Sequence, residues 1–225
     1  VRKVVVTLVV LAALVGVAAV ADAVLRRQAE ERVAAEVQQA IPGVAEPPDV
    51  TIEGYPFVPQ VLAGRLESVR LSAPEATVEG LRLEDVVVRV RGVAAQPPYV
   101  AETAEMTALA RPADVAAVLG LEGMVLAARD GELVARAEVL GLPLDALLAV
   151  RAEGRDVLVD VTAFELGGFR VESTDLPAAI TGQLQDLRFA IPGLPAEMVL
   201  TGAEVTDDGV RLAAGGTNLD LGAAR

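Results

Sequence analysis

The start of the chain constrains it most. Val4 to Ala21 are eighteen consecutive uncharged residues, nearly all Val, Leu or Ala, and Arg2 and Lys3 precede them. As a helix this run would span roughly 27 Å at 1.5 Å per residue, close to the hydrocarbon thickness of a bilayer. Positive charge ahead of the run predicts that this flank stays cytoplasmic while the rest crosses. Two readings stay open for residues 1–21. One is a retained transmembrane anchor. The other is a signal peptide, because Ala19-Val20-Ala21 is a small-x-small cleavage pattern just before Asp22. Under both, the remainder is exported to the cell envelope, either membrane-anchored or periplasmic.

What the exported part lacks is informative. There is no Cys, His or Trp, and Lys3 is the only lysine. Disulfides, Ser–His or Cys–His nucleophile pairs, and the usual zinc, haem and iron–sulfur ligands are therefore excluded. No metal or cofactor is expected. The charge is −13 overall and −15 after Ala21, so nucleic acid is not an expected partner, since phosphate neutralisation needs clustered Lys and Arg. The same charge repels anionic membranes, leaving the N-terminal segment and local apolar contact to dock the chain. Arg almost without Lys, with abundant Ala, Val and Gly, suggests a GC-rich bacterial source.

Residues 22–225 read as a single domain. Asp22 to Ile41 predicts a helix, with Leu25, Ala29, Val33, Val37 and Ile41 as an apolar stripe and Pro42-Gly43 as its end. Val50 to Glu53 alternates like a strand. Period-two patterning follows from Leu66 to Val93, and again at Leu133–Val139, Leu147–Glu153, Val157–Leu166, Leu187–Ile191, Met198–Val205 and Val210–Ala214. Arg111-Pro112-Ala113-Asp114 opens a second short helix bearing Val115, Val118 and Leu119, closed by Gly120. A third helix is expected from Asp175 to about Leu184, with Leu176, Ile180 and Leu184 on one face. Asp130-Gly131 and Asp208-Gly209 mark hairpins. A helix with Pro near its start (Pro112, Pro177), followed by such a hairpin, occurs twice, which reads either as a duplicated unit or as chance. The class is α+β with an antiparallel sheet.

Chemistry has little to work with. Asp207-Asp208 and Glu84-Asp85 read as solvated turn residues. Ser68, Ser72 and Ser173 lie outside any G-x-S-x-G elbow. A glycosidase pair of carboxylates would lack its aromatic platforms. The chain is expected to be a non-enzyme. Its side chains are 53% hydrophobic and dominated by Val, Leu and Ala, which suits either a packed core or a cavity for acyl chains. The segment Tyr55-Pro56-Phe57-Val58-Pro59 forms a lip over such a cavity, or a proline-stiffened loop folded onto the core.

The stretch Gly54-Tyr55-Pro56-Phe57-Val58-Pro59-Gln60-Val61-Leu62-Ala63-Gly64 resembles the G-x-P-F-x-x-Q-x-x-x-G opening of the LmeA-like family of actinobacterial envelope proteins. Val69-Arg70-Leu71, the Gly80-Leu81 turn, Ile191-Pro192-Gly193-Leu194-Pro195 and Leu200 to Val210 fit as well, and the likeness extends over roughly Ala23 to Leu221. The resemblance implies a phospholipid-binding protein associated with lipoglycan assembly or maintenance. It also implies a tubular lipid-binding-like fold, a curved antiparallel sheet wrapped around one or more helices behind an N-terminal apolar helix. Acyl chains would then lie between sheet and helices, with the head group near Tyr55–Pro59 and scattered Arg such as Arg65 or Arg70. The apolar faces nominate Val33, Val37, Tyr55, Phe57, Val58, Val61, Leu62, Val115, Leu119, Phe164, Phe169, Ile180, Leu184 and Phe189 as lipid-contacting. Phospholipid and, through the N-terminal segment, the membrane are the expected partners; the sequence identifies no protein partner. The rival reading is a structural or scaffolding envelope protein with a filled core.

Overall fold

A computed structural model describes the chain except residues 1, 42, 79, 119–123, 140–141, 176–186, 192–193 and 223–225; the side chains of residues 2–14, 118 and 139 are also outside the description. The elements in order are α1 (Arg2–Ala40), β1 (Asp49–Glu53), α2 (Phe57–Leu62), β2 (Arg65–Val78), β3 (Leu81–Ala94), β4 (Val100–Ala110) and α3 (Pro112–Val118). There follow β5 (Val125–Arg129), β6 (Glu132–Val139), β7 (Leu142–Glu153), β8 (Asp156–Leu166), β9 (Phe169–Glu172), a 3-10 turn (Ser173–Asp175), β10 (Leu187–Ala190), β11 (Met198–Thr206) and β12 (Gly209–Asp220).

The strands form two antiparallel six-stranded sheets. The first has the order β1-β2-β3-β4-β12-β11, and the second β10-β8-β7-β6-β5, with β9 also paired to β8. β10 pairs with Asp156–Val159 and β9 with Ala163–Leu166, so the two short strands share one edge of β8 end to end. The chain starts in the first sheet, builds the second from its middle, and returns. A tandem duplication does not map onto this arrangement, because the first sheet draws strands from both ends of the sequence.

One core joins the sheets. Val50, Ile52, Val69 and Val90 of the first sheet share a buried cluster with Leu200, Val205 and Leu212 near its other edge and with Leu126, Leu133 and Val157 of the second. The sheets are also tied by hydrogen bonds. The Leu200 N–H donates to the Gly154 carbonyl at 2.7 Å, and the Arg155 guanidinium donates to the carbonyls of Leu194 (2.6 Å) and Met198 (3.1 Å). A smaller cluster of Leu81, Leu83, Ala108 and Ala110 lies under Val115 of α3.

Several sequence expectations need correction. The helix expected from Asp22 begins at Arg2 and runs 39 residues without a break, because no Pro or strong turn residue separates the apolar run from the charged stretch. Its stripe is also displaced: Leu25 and Ile41 are exposed, whereas Asp22 and Ala34 are buried. A strict four-residue repeat drifts about 40° per step on a helix of about 100° per residue, so both ends of the stripe rotate into solvent. β4 and β9 went unread, and β12 runs six residues past Ala214. Of the third helix, only the 3-10 turn at Ser173–Asp175 is described; Leu176, Ile180 and Leu184 lie outside the described residues, as does Leu119. Among the described residues no helix is long and apolar enough to cross a membrane. Most of the run Val4–Ala21 falls on residues whose side chains are outside that description.

Candidate functional site

The nominated residues gather in two places. The first is the junction of α1 and α2. Pro56 precedes α2 and supplies no side-chain cap. Asp22 does this work from α1: its carboxylate accepts the Phe57 N–H at 3.0 Å and the Val58 N–H at 2.7 Å. These bonds, to Val58 first and then Phe57, hold the Asp22 carboxyl below its ordinary pKa; Arg26 adds to the effect and burial opposes it. One turn pair further on, Glu30 accepts the Ile52 N–H of β1 at 2.9 Å. Two carboxylates on one face of α1 thus satisfy backbone donors that would otherwise lack partners.

The motif residues each have a place in this junction. Phe57 is buried in the core, and Val58 and Val61 pack against it, as does Val33 of α1. Val37 is half-buried further along α1. Gln60 bridges the loop, donating to the Pro56 carbonyl (3.3 Å) and accepting the Glu67 N–H (2.9 Å). Gly54 has φ +91°, a conformation that disfavours any other residue, and a Cβ there would also push on the ends of the Gln60 and Glu67 side chains. The segment is therefore a loop folded onto the core through Phe57. Tyr55 and Leu62 are left outside, 70% and 82% exposed.

The second place is the apolar face of the second sheet. Directly paired residues in an antiparallel sheet share a face. Leu144, Leu166 and Phe169 form one row across β7, β8 and β9, and Ala146, Phe164 and Val171 form the next. Val150, Val159 and Leu187 make a third row, and Ala152, Val157 and Phe189 a fourth. The third and fourth rows pack on the shared core through Val150, Ala152, Val157 and Val159. The first row is open: Leu166 is exposed and Phe169 is 80% exposed, with Leu142 and Val171 exposed beside them. Phe164 and Phe189 are half-buried. Val115, on α3, lies in neither group and packs between the shared core and the smaller cluster of Leu81, Leu83, Ala108 and Ala110.

The opposite face of the second sheet carries a charged row beside a buried apolar one, Val134, Leu147 and Ala163. Arg136, Asp145, Glu165 and Arg170 lie side by side across β6 to β9. Arg136 holds Asp145 through two bonds of 2.6 Å. This lowers the Asp145 pKa, chiefly through the Arg136 hydrogen bonds, with Arg129 assisting and burial opposing. Glu165 takes Arg129 at 3.3 Å and Arg170 at 3.4 Å. The charged row is thus satisfied internally, while the outermost apolar row of the other face presents hydrocarbon.

A family model for LmeA-like phospholipid-binding proteins matches residues 20–215. The chain belongs to that family. No curated protein and no solved structure matches it. The match of this LmeA-like protein takes in the α1–α2 junction and both sheets, and begins one residue before the end of the apolar run.

Behind Tyr55–Pro59, the Phe57 side chain is buried in the shared core. A shallow cleft of about 380 Å³ lies at the other end of β1, lined by Glu46, Pro47, Asp49, Ser72, Ala73, Pro74, Asp85 and Val87. Three carboxylates suit neither an acyl chain nor a phosphate head group. Of the Arg suggested for head-group contact, Arg65 is paired with Glu102. The sequence pattern does not single out Leu142, Leu144, Leu166, Val171 or Leu187. The signal was present: Phe169 and Val171 alternate with Arg170 and Glu172 across only four residues, too short a run to stand out.

Proposed function

We propose that this chain is an exported, non-catalytic envelope protein that holds phospholipid acyl chains on the open rows of its second sheet. It would stay tethered to the membrane by the run Val4–Ala21 and support envelope lipid or lipoglycan assembly. The observation that carries the reading is the face built from Leu144–Leu166–Phe169 and Ala146–Phe164–Val171, apolar in every position and exposed at Leu166, Phe169 and Val171. Contiguous exposed apolar surface of this kind marks an interaction site. Each methylene removed from water contributes about 0.8 kcal/mol, so a chain of about sixteen carbons needs only partial cover to be retained.

Tethering is supported by Asp22. Its carboxylate works from within a continuous helix. Cleavage after Ala21 would make it a frayed first residue beside a new ammonium group. A mature mass that includes residues 1–21 is expected.

The test is lipid extraction from the purified full chain, followed by mass spectrometry. Phospholipid is expected with the native chain and is lost with Phe169→Asp. Native protein free of phospholipid would overturn the reading. It would favour the rival structural role, for which the filled core of the first sheet speaks, with Ile52 only 2% exposed.

A further inference from the structure

The register places Glu53, Arg65, Ala94, Val100 and Asp220 at one end of the first sheet. Three segments meet there: Gly54–Gly64 with α2, the link 95–99, and Leu221 after β12. They are bonded to one another, the Ala95 N–H to the Gly64 carbonyl at 3.0 Å and the Leu221 N–H to the Tyr99 carbonyl at 2.8 Å. This end is unusual in what it exposes. Tyr55 and Leu62 are largely in solvent, and Tyr99, Val100 and Leu221 are exposed beside them. Tyr55 and Tyr99 are the two tyrosines of the chain. An amphipathic ring with one apolar and one polar end is the side chain that settles at a membrane–water boundary.

We propose that this end of the first sheet is a bilayer-contact surface, with Tyr55, Leu62, Tyr99 and Leu221 seated at the boundary between head groups and acyl chains. The depth is set by Asp22. It is the first charged residue after the apolar run, and its carboxylate is bonded to the first two backbone N–H groups of α2. α2 therefore abuts α1 at the level where the run ends. Val15, Val17 and Val20 are exposed on α1 just before that point, so the helix stands clear of the sheets where it would enter lipid. An acidic domain is repelled by anionic membranes at most of its surface; a patch of tyrosine and leucine next to the inserted helix avoids that cost. The proposal rests on the tethered reading above, but not on where acyl chains are held.

The absence of Trp from the chain makes the test clean. The full chain carrying Leu62→Trp is reconstituted into phosphatidylcholine vesicles, with and without brominated acyl chains; Tyr99→Trp serves as a second position. Val125→Trp, exposed on the charged face of the second sheet, is the control. The first two variants are expected to shift their emission to the blue and lose most of it to brominated lipid, whereas the control does neither. Emission from both that matches the control, in chain that floats with the vesicles, would overturn the surface and leave the lipid-binding reading standing. Failure of the chain to float would overturn the tether and this surface together. Loss of extracted lipid with normal quenching would count against the acyl site alone.

Discussion

The two sheets use the same alternation of apolar and charged residues, and their apolar faces meet different fates. In the first sheet, α1, α2 and the second sheet cover the inner face, so Val50, Ile52, Val69 and Val90 are core. In the second, the half of β7 and β8 nearest Gly154 lies against the first sheet, while the half carrying Leu142, Leu166 and the adjoining β9 is left open. Patterning decides which face is apolar. Whether that face becomes core or site depends on what the rest of the chain lays over it, and this is a property of topology.

The sharpest break of this comparison is a pair of truncations. Ile52→Ala should destabilise the chain by about 2–5 kcal/mol, the range for a large buried aliphatic side chain, seen as a lower urea midpoint. Phe169→Ala should change stability by less than about 0.5 kcal/mol, as exposed positions do, yet reduce retained phospholipid. If Phe169→Ala destabilises as much as Ile52→Ala, the open rows are core and the distinction fails.

A second test lifts the cover from the first sheet. Asp22→Ala leaves the Phe57 and Val58 N–H groups without their partner and should lower the melting temperature by several degrees. Because the folded Asp22 carboxyl has its pKa lowered, its contribution is present above the ordinary carboxylate value of about 3.9. It is lost as pH falls through the lower folded value. The stability gap between the native chain and Asp22→Ala should therefore narrow as pH is lowered; thermal melts stepped down from neutral pH check this. Asp22→Asn, which keeps one acceptor oxygen, should fall between them at neutral pH.

The parts of this architecture that were legible in the sequence are those where local pattern and tertiary role agree. β2, β3 and β8 alternate Val or Leu with Arg, Glu or Asp and were readable at once. Asp130-Gly131 marks its hairpin because both residues take positive φ, 54° and 79°, as a two-residue turn requires. β4 was invisible for the opposite reason. Its sequence, VAETAEMTALA, is rich in Ala and Glu, which favour helices in isolation. Its small residues are placed by tertiary packing: Ala101, Ala104, Ala108 and Ala110 are all buried. The tail of β12 was hidden by Gly215-Gly216, yet a Cβ at Gly216 would come within 2.6 Å of the Glu197 carbonyl oxygen. The glycine there admits a neighbouring backbone. The α1–α2 junction could be guessed only through the family motif, since no local rule pairs Asp22 with residues 35 positions away. The open rows are only half legible, through Phe164 and Phe169, because nothing local distinguishes a covered strand face from an uncovered one.

The smallest effects come from the charged faces, and they extend the comparison to electrostatics. Both sheets carry cross-strand Arg–carboxylate forks. In the second, Arg136 grips Asp145 with two bonds of 2.6 Å, and the Asp145 side chain is only 11% exposed. In the first, Arg91 meets Glu105 at 3.0 and 3.4 Å with side chains 48% and 58% exposed. Hydrogen bonds to charged groups are worth about 1.5–3 kcal/mol when one partner is shielded, against about 0.2–1 kcal/mol for a pair in solvent. Double-mutant cycles should therefore give a coupling for Arg136–Asp145 near the upper range and for Arg91–Glu105 near the lower. Salt separates them further: at 1 M the screening length is about 3 Å, enough to erase the exposed coupling while most of the shielded one survives. Acid acts on the Arg136–Asp145 pair as it does on Asp22, because the lowered Asp145 pKa makes its contribution vanish as pH falls through the folded value. Equal couplings, or equal loss in salt, would mean that the packed strands around Asp145 give it no shelter that Glu105 lacks.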